Sequence, residues 1–470
     1  MKKIVLGYDI EDPICALATP WGTSALAVLR TSGEGVIEKV AEIFSKPEKL
    51  RGSTGGRIHH GYLVSPETRE PIDEVMVAVY RSPHSYTGED SVEIFSHGSL
   101  PGIRTILEAL RTLGFRPAEP GEFTYRAFIH GKMDLTRAEA VQEIVSSKTQ
   151  KAHLLALHRL EGGLSNLLVQ LKEKLLDLLT TIEIQLDYPE EDAPTIPITK
   201  QNIEPILQKI EHLLQTYGEA KLYQEGVRIA IAGKTNAGKS SLFNRFLKEE
   251  RSIVSEIHGT TRDYIEATLS IGGIPVRLYD TAGLRVSTDP IEVEGVKRSY
   301  TLLQSCALIL YLIDCTDKDN NSEEFLKNQV DLQALSNRLL PVYTKIDLDP
   351  NWSKRVSKTQ FPFVSNNVFG VSSVTGEGID SLLKEIEHRL KEGVIQGKEE
   401  ILIESDRQKE LLERGKQALE RFLQGIDNRL PLDVLSQDIQ EALRALGEIT
   451  GELTTEDMLH RMFSNFCVGK

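Results

Sequence analysis

The sequence predicts a multidomain chain of mixed class, α/β joined to all-α. Strand-like runs alternate with helical patterns across residues 227–371, the spacing of a mainly parallel sheet with crossover helices. Apolar residues recur with a helical period from about Arg137 to Leu222 and again from about Asp380 onward. Residues 1–130 show short strand-like runs with dense turn punctuation instead, an α+β pattern. Helical sequence flanks the α/β stretch on both sides, so the α/β unit reads as an insertion into a helical domain. The expected divisions are 1–130, 131–222, 223–382 and 383–470, with the second and fourth forming one helical domain.

The length of 470 residues suits about three domains. Hydrophobic residues make up 40% and charged residues 26%, enough apolar material for several cores. No apolar run reaches the ~20 residues of a membrane span. The longest, Cys306 to Ile313, reads as a buried strand. No signal-peptide pattern is found near Met1, and Cys15, Cys306, Cys315 and Cys467 form no CxxC pair. Both observations predict a cytoplasmic protein with reduced thiols and no membrane association. The net charge of −14 argues against a general polyanion-binding surface. A nucleic-acid substrate would need a local basic patch or a partner subunit.

In the first region, Ile14 to Ala18, Ser24 to Leu29, Glu74 to Tyr80 and Ser91 to Phe95 read as strands, and Gly102 to Leu113 as a helix. Two segments are unusually polar: Tyr80 to Asp90 (YRSPHSYTGED) with Val92 and Glu93, and Gly121 to Phe128 (GEFTYRAF) running on to Lys132 and Asp134. Both read as loops, as solvated turns or, alternatively, as segments flanking a pocket.

Leu154, Leu157, Leu160, Leu164, Leu168, Leu171, Leu175, Leu178 and Ile182 mark an apolar stripe, one long helix or two with a break near Gly162-Gly163. A Pro-rich acidic linker, Tyr188 to Pro197, leads to a helix over about Thr199 to Leu222. Beyond the insertion, Asp380 to Leu390, Ile401 to Gln424, Asp433 to Glu448 and Thr455 to Phe463 read as helices.

Inside the insertion, the strand Val227 to Ala232 is followed by Gly233-Lys234-Thr235-Asn236-Ala237-Gly238-Lys239-Ser240-Ser241. This is GxxxxGKS between a strand and a helix, a loop whose backbone N–H groups cradle phosphates. Lys239 would reach the β- and γ-phosphates, and Ser240 would ligate Mg²⁺. After the strand Ile274 to Tyr279 come Asp280-Thr281-Ala282-Gly283, with an acidic residue for Mg²⁺ and a glycine N–H for the γ-phosphate. Between them lie Gly259-Thr260-Thr261-Arg262-Asp263, where Thr261 is the candidate second Mg²⁺ ligand. Thr344-Lys345-Ile346-Asp347 follow another strand. The Asp347 carboxylate can accept from guanine's N1–H and exocyclic amine, a pattern that adenine lacks. Val371-Ser372-Ser373, with Val374, end the next strand and would close over the base. The order and strand-end placement of these elements predict a Ras-like P-loop GTPase domain.

Two departures stand out. Thr344 occupies a position where Asn is usual, so a tether between loops is expected to be weaker. Leu284 follows DTAG, where Ras-type enzymes place the glutamine that orients water. Leucine cannot orient water. The nearby Asp289, Glu292 and Glu294 could supply that group. Asn236 is either a spacer or a ligand for K⁺ beside the phosphates.

These stretches, with ATPWG, LRTSG, SYTGED, VEIFSHG, GEFTYRAF, KMDLTRAEA, TGEGI and GEITGELTTEDML closing on FCVGK, resemble the MnmE (TrmE) family of tRNA wobble-uridine modification GTPases along the whole chain. The resemblance implies an N-terminal folate-binding and dimerisation domain, a helical domain and an inserted G domain. It implies a K⁺-stimulated GTPase, a homodimer whose G domains pair with K⁺ and GTP bound, and an FAD-containing MnmG-type partner, the FAD being on the partner. Together they would add an aminomethyl or carboxymethylaminomethyl group to C5 of wobble uridine in certain tRNAs, drawing the carbon from a tetrahydrofolate derivative such as 5-formyl-tetrahydrofolate.

Carried over residue by residue, the folate contacts fall on Arg30, Glu93, Lys132 and Lys470. K⁺ would be held by Asn236, Thr260, Ser255 and Ile257, and Mg²⁺ by Ser240 and Thr261. Glu256, His258 and Gly259 complete that side of the GTP site. Glu292 matches the family's water-orienting glutamate, acting beside Lys239 and Thr261. Cys467 matches the family cysteine, read as a small, partly buried residue beside the folate site in preference to a catalytic thiol. The alternative function is a regulatory or ribosome-assembly GTPase without one-carbon chemistry. Such proteins usually carry an RNA-binding appendage, and none is evident after residue 380.

Overall fold

The computed structural model describes residues 4–5, 8–9, 12–187, 199–249, 265–280, 303–316, 336–353, 368–392 and 402–470. Two compact units emerge: Met1–Val145, His158–Gln208 and Glu410–Lys470 form one, and Ser146–Leu157 with Lys209–Lys409 form the other.

The first unit holds a six-stranded sheet ordered Arg57–Val64, Pro71–Tyr80, Ser91–Gly98, Ser24–Ser32, Ile14–Leu17, Arg116–Pro117. Neighbours run antiparallel except the last pair, which is parallel. Alternation sets the faces. Val75, Val77 and Val79 point into a core shared with Leu29, Ile94, Val40 of the helix Val36–Glu42, and Ile106 of the helix Leu100–Thr112. Ser99 caps the latter helix by accepting from the Gly102 N–H at 3.2 Å. Arg30 and Glu93 are cross-strand partners on the opposite face. The strand Arg57–Val64 escaped the pattern reading, because His59-His60-Gly61 interrupts its apolar alternation.

GEFTYRAF is not a loop. Residues Glu122–Ile129 form a helix entered through Gly121 in the left-handed region. Its polar residues are satisfied inside the protein, so polarity is a poor guide to exposure here. Arg126 is fully buried; it donates to Glu89 at 3.2 Å, to Glu122 at 2.9 Å and to the Asp12 carbonyl at 2.9 Å. Arg116 grips Glu122 through two bonds, of 2.6 and 3.0 Å. Burial alone would raise the Glu122 carboxyl, but its hydrogen bonds from Arg116 and the nearby Arg126 charge hold it below the usual carboxylate range.

The leucine stripe is divided between two helices, Gln150–Leu160 and Gly163–Asp187, with the break at Gly162. A separate helix, Leu135–Ser146, precedes them, and the Thr149 hydroxyl accepts from the Ala152 N–H at 3.2 Å where the first of the pair begins. Leu164, Leu168, Leu171, Leu175 and Ile182 are buried along Gly163–Asp187, which packs on Leu432–Thr450 with its own buried stripe of Ile439, Ala442, Leu446 and Ile449. Each leucine or isoleucine among them contributes about 1.5–3 kcal/mol when fully buried. The helix expected from Ile401 begins only at Asp406, and Leu402 and Ile403 are buried in extended backbone before it. Among the described residues, no helix is long and apolar enough to cross a membrane.

The second unit is built on a sheet ordered Ile265–Ile271, Ile274–Asp280, Val227–Gly233, Leu308–Asp314, Leu339–Thr344, Phe369–Val371. The last five strands are parallel, and only Ile265–Ile271 is antiparallel to its neighbour. The parallel strands are apolar on both faces, as a sheet covered by helices requires: Ile229, Ile231, Leu310 and Val342 face one core, and Ala230, Ile309 and Tyr311 the other. Leu155, Ala220 and Tyr223 join the first of these cores, so parts of the helices Gln150–Leu160 and Lys200–Glu225 belong to this unit.

Candidate functional site

The parallel strands of the second unit end together at Gly233, Asp280, Asp314, Thr344 and Val371. Loops at the carboxyl ends of such strands are where open α/β sheets bind ligands. After Gly233 the chain turns sharply. Gly233 has φ 145°, and a Cβ there would meet the Leu312 carbonyl oxygen at 2.6 Å, so only glycine fits. Asn236 is left-handed at φ 66°, a conformation Asn tolerates, and its side chain is exposed. The helix Lys239–Glu249 then begins.

Lys239 is folded back over the loop. Its ammonium donates to the carbonyls of Gly233 at 2.9 Å and Lys234 at 2.8 Å. Burial lowers its pKa, opposed by the charge of Asp280. Ser240 donates to one carboxylate oxygen of Asp280 at 2.8 Å. The other oxygen, Oδ1, is buried with no hydrogen-bond partner among the described residues, and Asp280 is only 1% exposed. A buried, half-satisfied carboxylate beside a hydroxyl at the end of a phosphate-type loop fits a divalent cation.

On the base side, the Thr344 hydroxyl donates to the Ala237 carbonyl in the phosphate loop at 2.8 Å, and the side chain is 2% exposed, so the tether between the loops is present with Thr in place of Asn. A β-branched side chain at the strand end points straight at that loop, so a shorter residue reaches it. Lys345 follows in the left-handed region and pairs with Asp314 at 2.5 Å. Asp314 was not singled out in the sequence. Burial would raise its carboxyl, but the Lys345 and Thr316 hydrogen bonds hold it low. The turn leaves Asp347 exposed in the short 3-10 helix Ile346–Leu348. Ser372 is buried and its hydroxyl accepts from the Val374 and Thr375 N–H groups at 3.3 and 3.1 Å, which shapes the loop. Val374 is exposed and Ser373 half-buried.

The structure therefore brings together Gly233, Asn236, Ala237, Gly238, Lys239, Ser240, Asp280 and Thr344. Ser255, Glu256, Ile257, His258, Gly259, Thr260, Thr261, Thr281, Ala282, Gly283 and Glu292 lie outside the described residues, as do Leu284, Asp289 and Glu294.

A second cluster sits in the first unit. Arg30 donates from Nε to Glu93 at 2.8 Å and from a terminal nitrogen to the Gly469 carbonyl at 3.0 Å. Its guanidinium lies 5.3 Å from the ring centre of Tyr86 and 5.8 Å from that of Phe123. Tyr86 bonds Thr124 at 2.8 Å. Neither aromatic was read as part of a site, although both lie in the two polar segments. The segment Phe466–Lys470 is drawn in by close packing. Gly469 has φ 91°, and a Cβ would meet the Ala18 Cα at 2.9 Å. Lys470 is half-buried; burial, then the Arg30 charge, lowers its pKa. Arg30, Glu93 and Lys470 are thus assembled. Lys132 is exposed and donates to the Pro83 carbonyl at 2.9 Å. Cys467 is exposed, not partly buried as expected, because Phe466 and Gly469 take the inward positions on either side of it.

Comparison with known families adds to this geometry. Residues 13–132 match the N-terminal region described as that of the GTP-binding protein TrmE, and residues 135–467 match the MnmE helical domain. The chain belongs to the MnmE family. MnmE relatives align along nearly all of it. The tRNA modification GTPase MnmE of Borrelia recurrentis is 42% identical over 98% of this chain and 99% of its own. That of Treponema denticola is 42% identical over the same shares. That of Aquifex aeolicus is 40% identical over 98% of this chain and all of its own.

Proposed function

We propose that this MnmE-family chain is a GTP hydrolase acting in tRNA modification. The observation that carries the reading is the convergence of Lys239, Ser240, Asp280 and the Thr344–Asp347 turn at one end of one parallel sheet. Lys239 leaves its two loop carbonyls to meet the β- and γ-phosphates. Ser240 and Thr261 would be the two protein ligands of Mg²⁺, and the buried Asp280 would hold it through water. Mg²⁺ neutralises charge between the phosphates. Asp347, free on the surface of its turn, accepts from two guanine N–H groups. Ser372, Ser373 and Val374 close over the base.

The finer steps rest on the family. K⁺ is held by Asn236 with Ser255, Ile257 and Thr260, in the place of an arginine finger. Glu292 orients the attacking water, since Leu284 cannot. Hydrolysis drives G-domain pairing within a homodimer and a conformational change. With an FAD-containing partner, the protein places an aminomethyl or carboxymethylaminomethyl group on C5 of wobble uridine in tRNA. Arg30, Glu93, Lys470 and Lys132 hold the tetrahydrofolate donor: the cations face glutamate carboxylates, and Glu93 accepts from pterin N–H groups. The assembled Arg30–Glu93–Lys470 cluster, with an aromatic floor from Tyr86 and Phe123, favours this over a purely regulatory GTPase.

Binding tests the nucleotide half. GTP should bind at least ~100-fold more tightly than ATP, and Asp347→Asn should erase most of that difference. Equal affinity for the two nucleotides would overturn the guanine reading.

A further inference from the structure

Asp314 ends the strand Leu308–Asp314 directly opposite Thr344, the last residue of the strand Leu339–Thr344. The two strands therefore deliver their next residues side by side. The Asp314 carboxylate is divided between them. Oδ1 accepts from the Thr316 N–H at 2.9 Å and the Thr316 hydroxyl at 2.7 Å, whereas Oδ2 accepts from the Lys345 ammonium at 2.5 Å. Lys345 has φ 60° and ψ 34°, a left-handed backbone that residues other than glycine rarely adopt. Its carbonyl is also held, accepting from the Cys315 thiol and from the Leu348 N–H, each at 3.0 Å. Asp314 and Cys315 thus grip Lys345 by its side chain and its backbone, at the entrance to the 3-10 helix Ile346–Leu348 that presents Asp347.

We propose that Asp314 is a positioning residue of the nucleotide site, which acts by pinning Lys345 and so fixing the turn that carries Asp347. This rests on the guanine-nucleotide reading of the site. Because Asp314 already matches the Lys345 charge, Lys345 should serve the nucleoside end of the ligand and not its phosphates.

The test uses the full chain with Asp314→Asn, Lys345→Gly and the double variant. Asparagine keeps an oxygen for Thr316 but places an NH₂ donor where the ammonium needs an acceptor. Glycine suits the left-handed backbone and removes only the side chain. Asp314→Asn should release a fluorescent GDP analogue roughly tenfold faster, and in the Lys345→Gly background it should change release by less than about twofold. Lys345→Gly should weaken GDP and GTP binding by equal factors. Unchanged release in Asp314→Asn would overturn the proposal. So would a full tenfold effect in the Lys345→Gly background, which would make Asp314 a support of the strand end that does not act through Lys345. A several-fold larger loss for GTP than for GDP in Lys345→Gly would make Lys345 a phosphate ligand and overturn it too. Amide exchange over residues 345–349 in nucleotide-free protein reads the positioning by itself. It should accelerate in Asp314→Asn even if no guanine nucleotide binds the wild type, an outcome that would defeat the nucleotide reading alone; unchanged exchange would defeat the positioning role.

Discussion

Arg30 and Gly469 meet across the first unit, the guanidinium donating to the Gly469 carbonyl at 3.0 Å while its Nε holds Glu93 at 2.8 Å. The Phe466–Lys470 segment is thus part of the N-terminal cluster. Phe466 packs beside Phe463 and Tyr125, and Gly469 presses on Ala18 with no room for a Cβ. Deleting residues 466–470, or making Gly469→Val, should lower 5-formyl-tetrahydrofolate affinity at least ~10-fold, or ~1.4 kcal/mol. GTP turnover should change less than about twofold. Calorimetric titration of both ligands checks this.

Arg126 joins Glu89 and Glu122 with essentially no exposure. Arg126→Met should leave the buried Glu122 and the half-buried Glu89 short of a partner and cost about 3–5 kcal/mol. The fall should appear in the thermal melt, and Arg126→Lys should not recover it fully, because lysine lacks the planar fork.

Acid should act on the same network. Glu122 is held below its ordinary value near 4.5. A carboxyl with a depressed folded value stabilises fully above its unfolded value and loses that stabilisation as pH falls through the folded one. Stability should therefore be steady from neutrality down to about pH 4.5 and decline below it. Glu122→Gln should flatten that acid limb in a denaturation series.

Ser240 and Asp280 should act through the metal. Ser240→Ala removes the donor to Asp280 and, with it, the proposed Mg²⁺ ligand. Its GTP affinity should fall about 10- to 100-fold in Mg²⁺ yet match wild type in EDTA. Equal losses in both buffers would assign Ser240 to loop folding instead.

Water orientation and the cation can be separated. Glu292→Ala should slow GTP hydrolysis about 100-fold or more with GTP affinity within about threefold. Wild type should turn over GTP faster in KCl than in NaCl at equal ionic strength, and Asn236→Ala should remove that difference.

Much of this was legible in the sequence because local constraints fix it. GxxxxGKS needs Gly233 at φ 145°, and β-branched alternation places it after a strand. What was not legible depended on distant partners. Arg126, Glu122 and Glu89 look like surface residues until they are seen neutralising one another.

The proposal that GTP hydrolysis by this chain serves a folate-dependent modification of tRNA can be tested by mass spectrometry of wobble uridine in tRNA incubated with the chain, an FAD-containing partner, a tetrahydrofolate one-carbon donor and GTP, each omitted in turn. A C5 aminomethyl or carboxymethylaminomethyl product should form in the complete mixture and be lost on every omission. Unmodified uridine in the complete mixture, or product formed without this chain or without GTP, would contradict it.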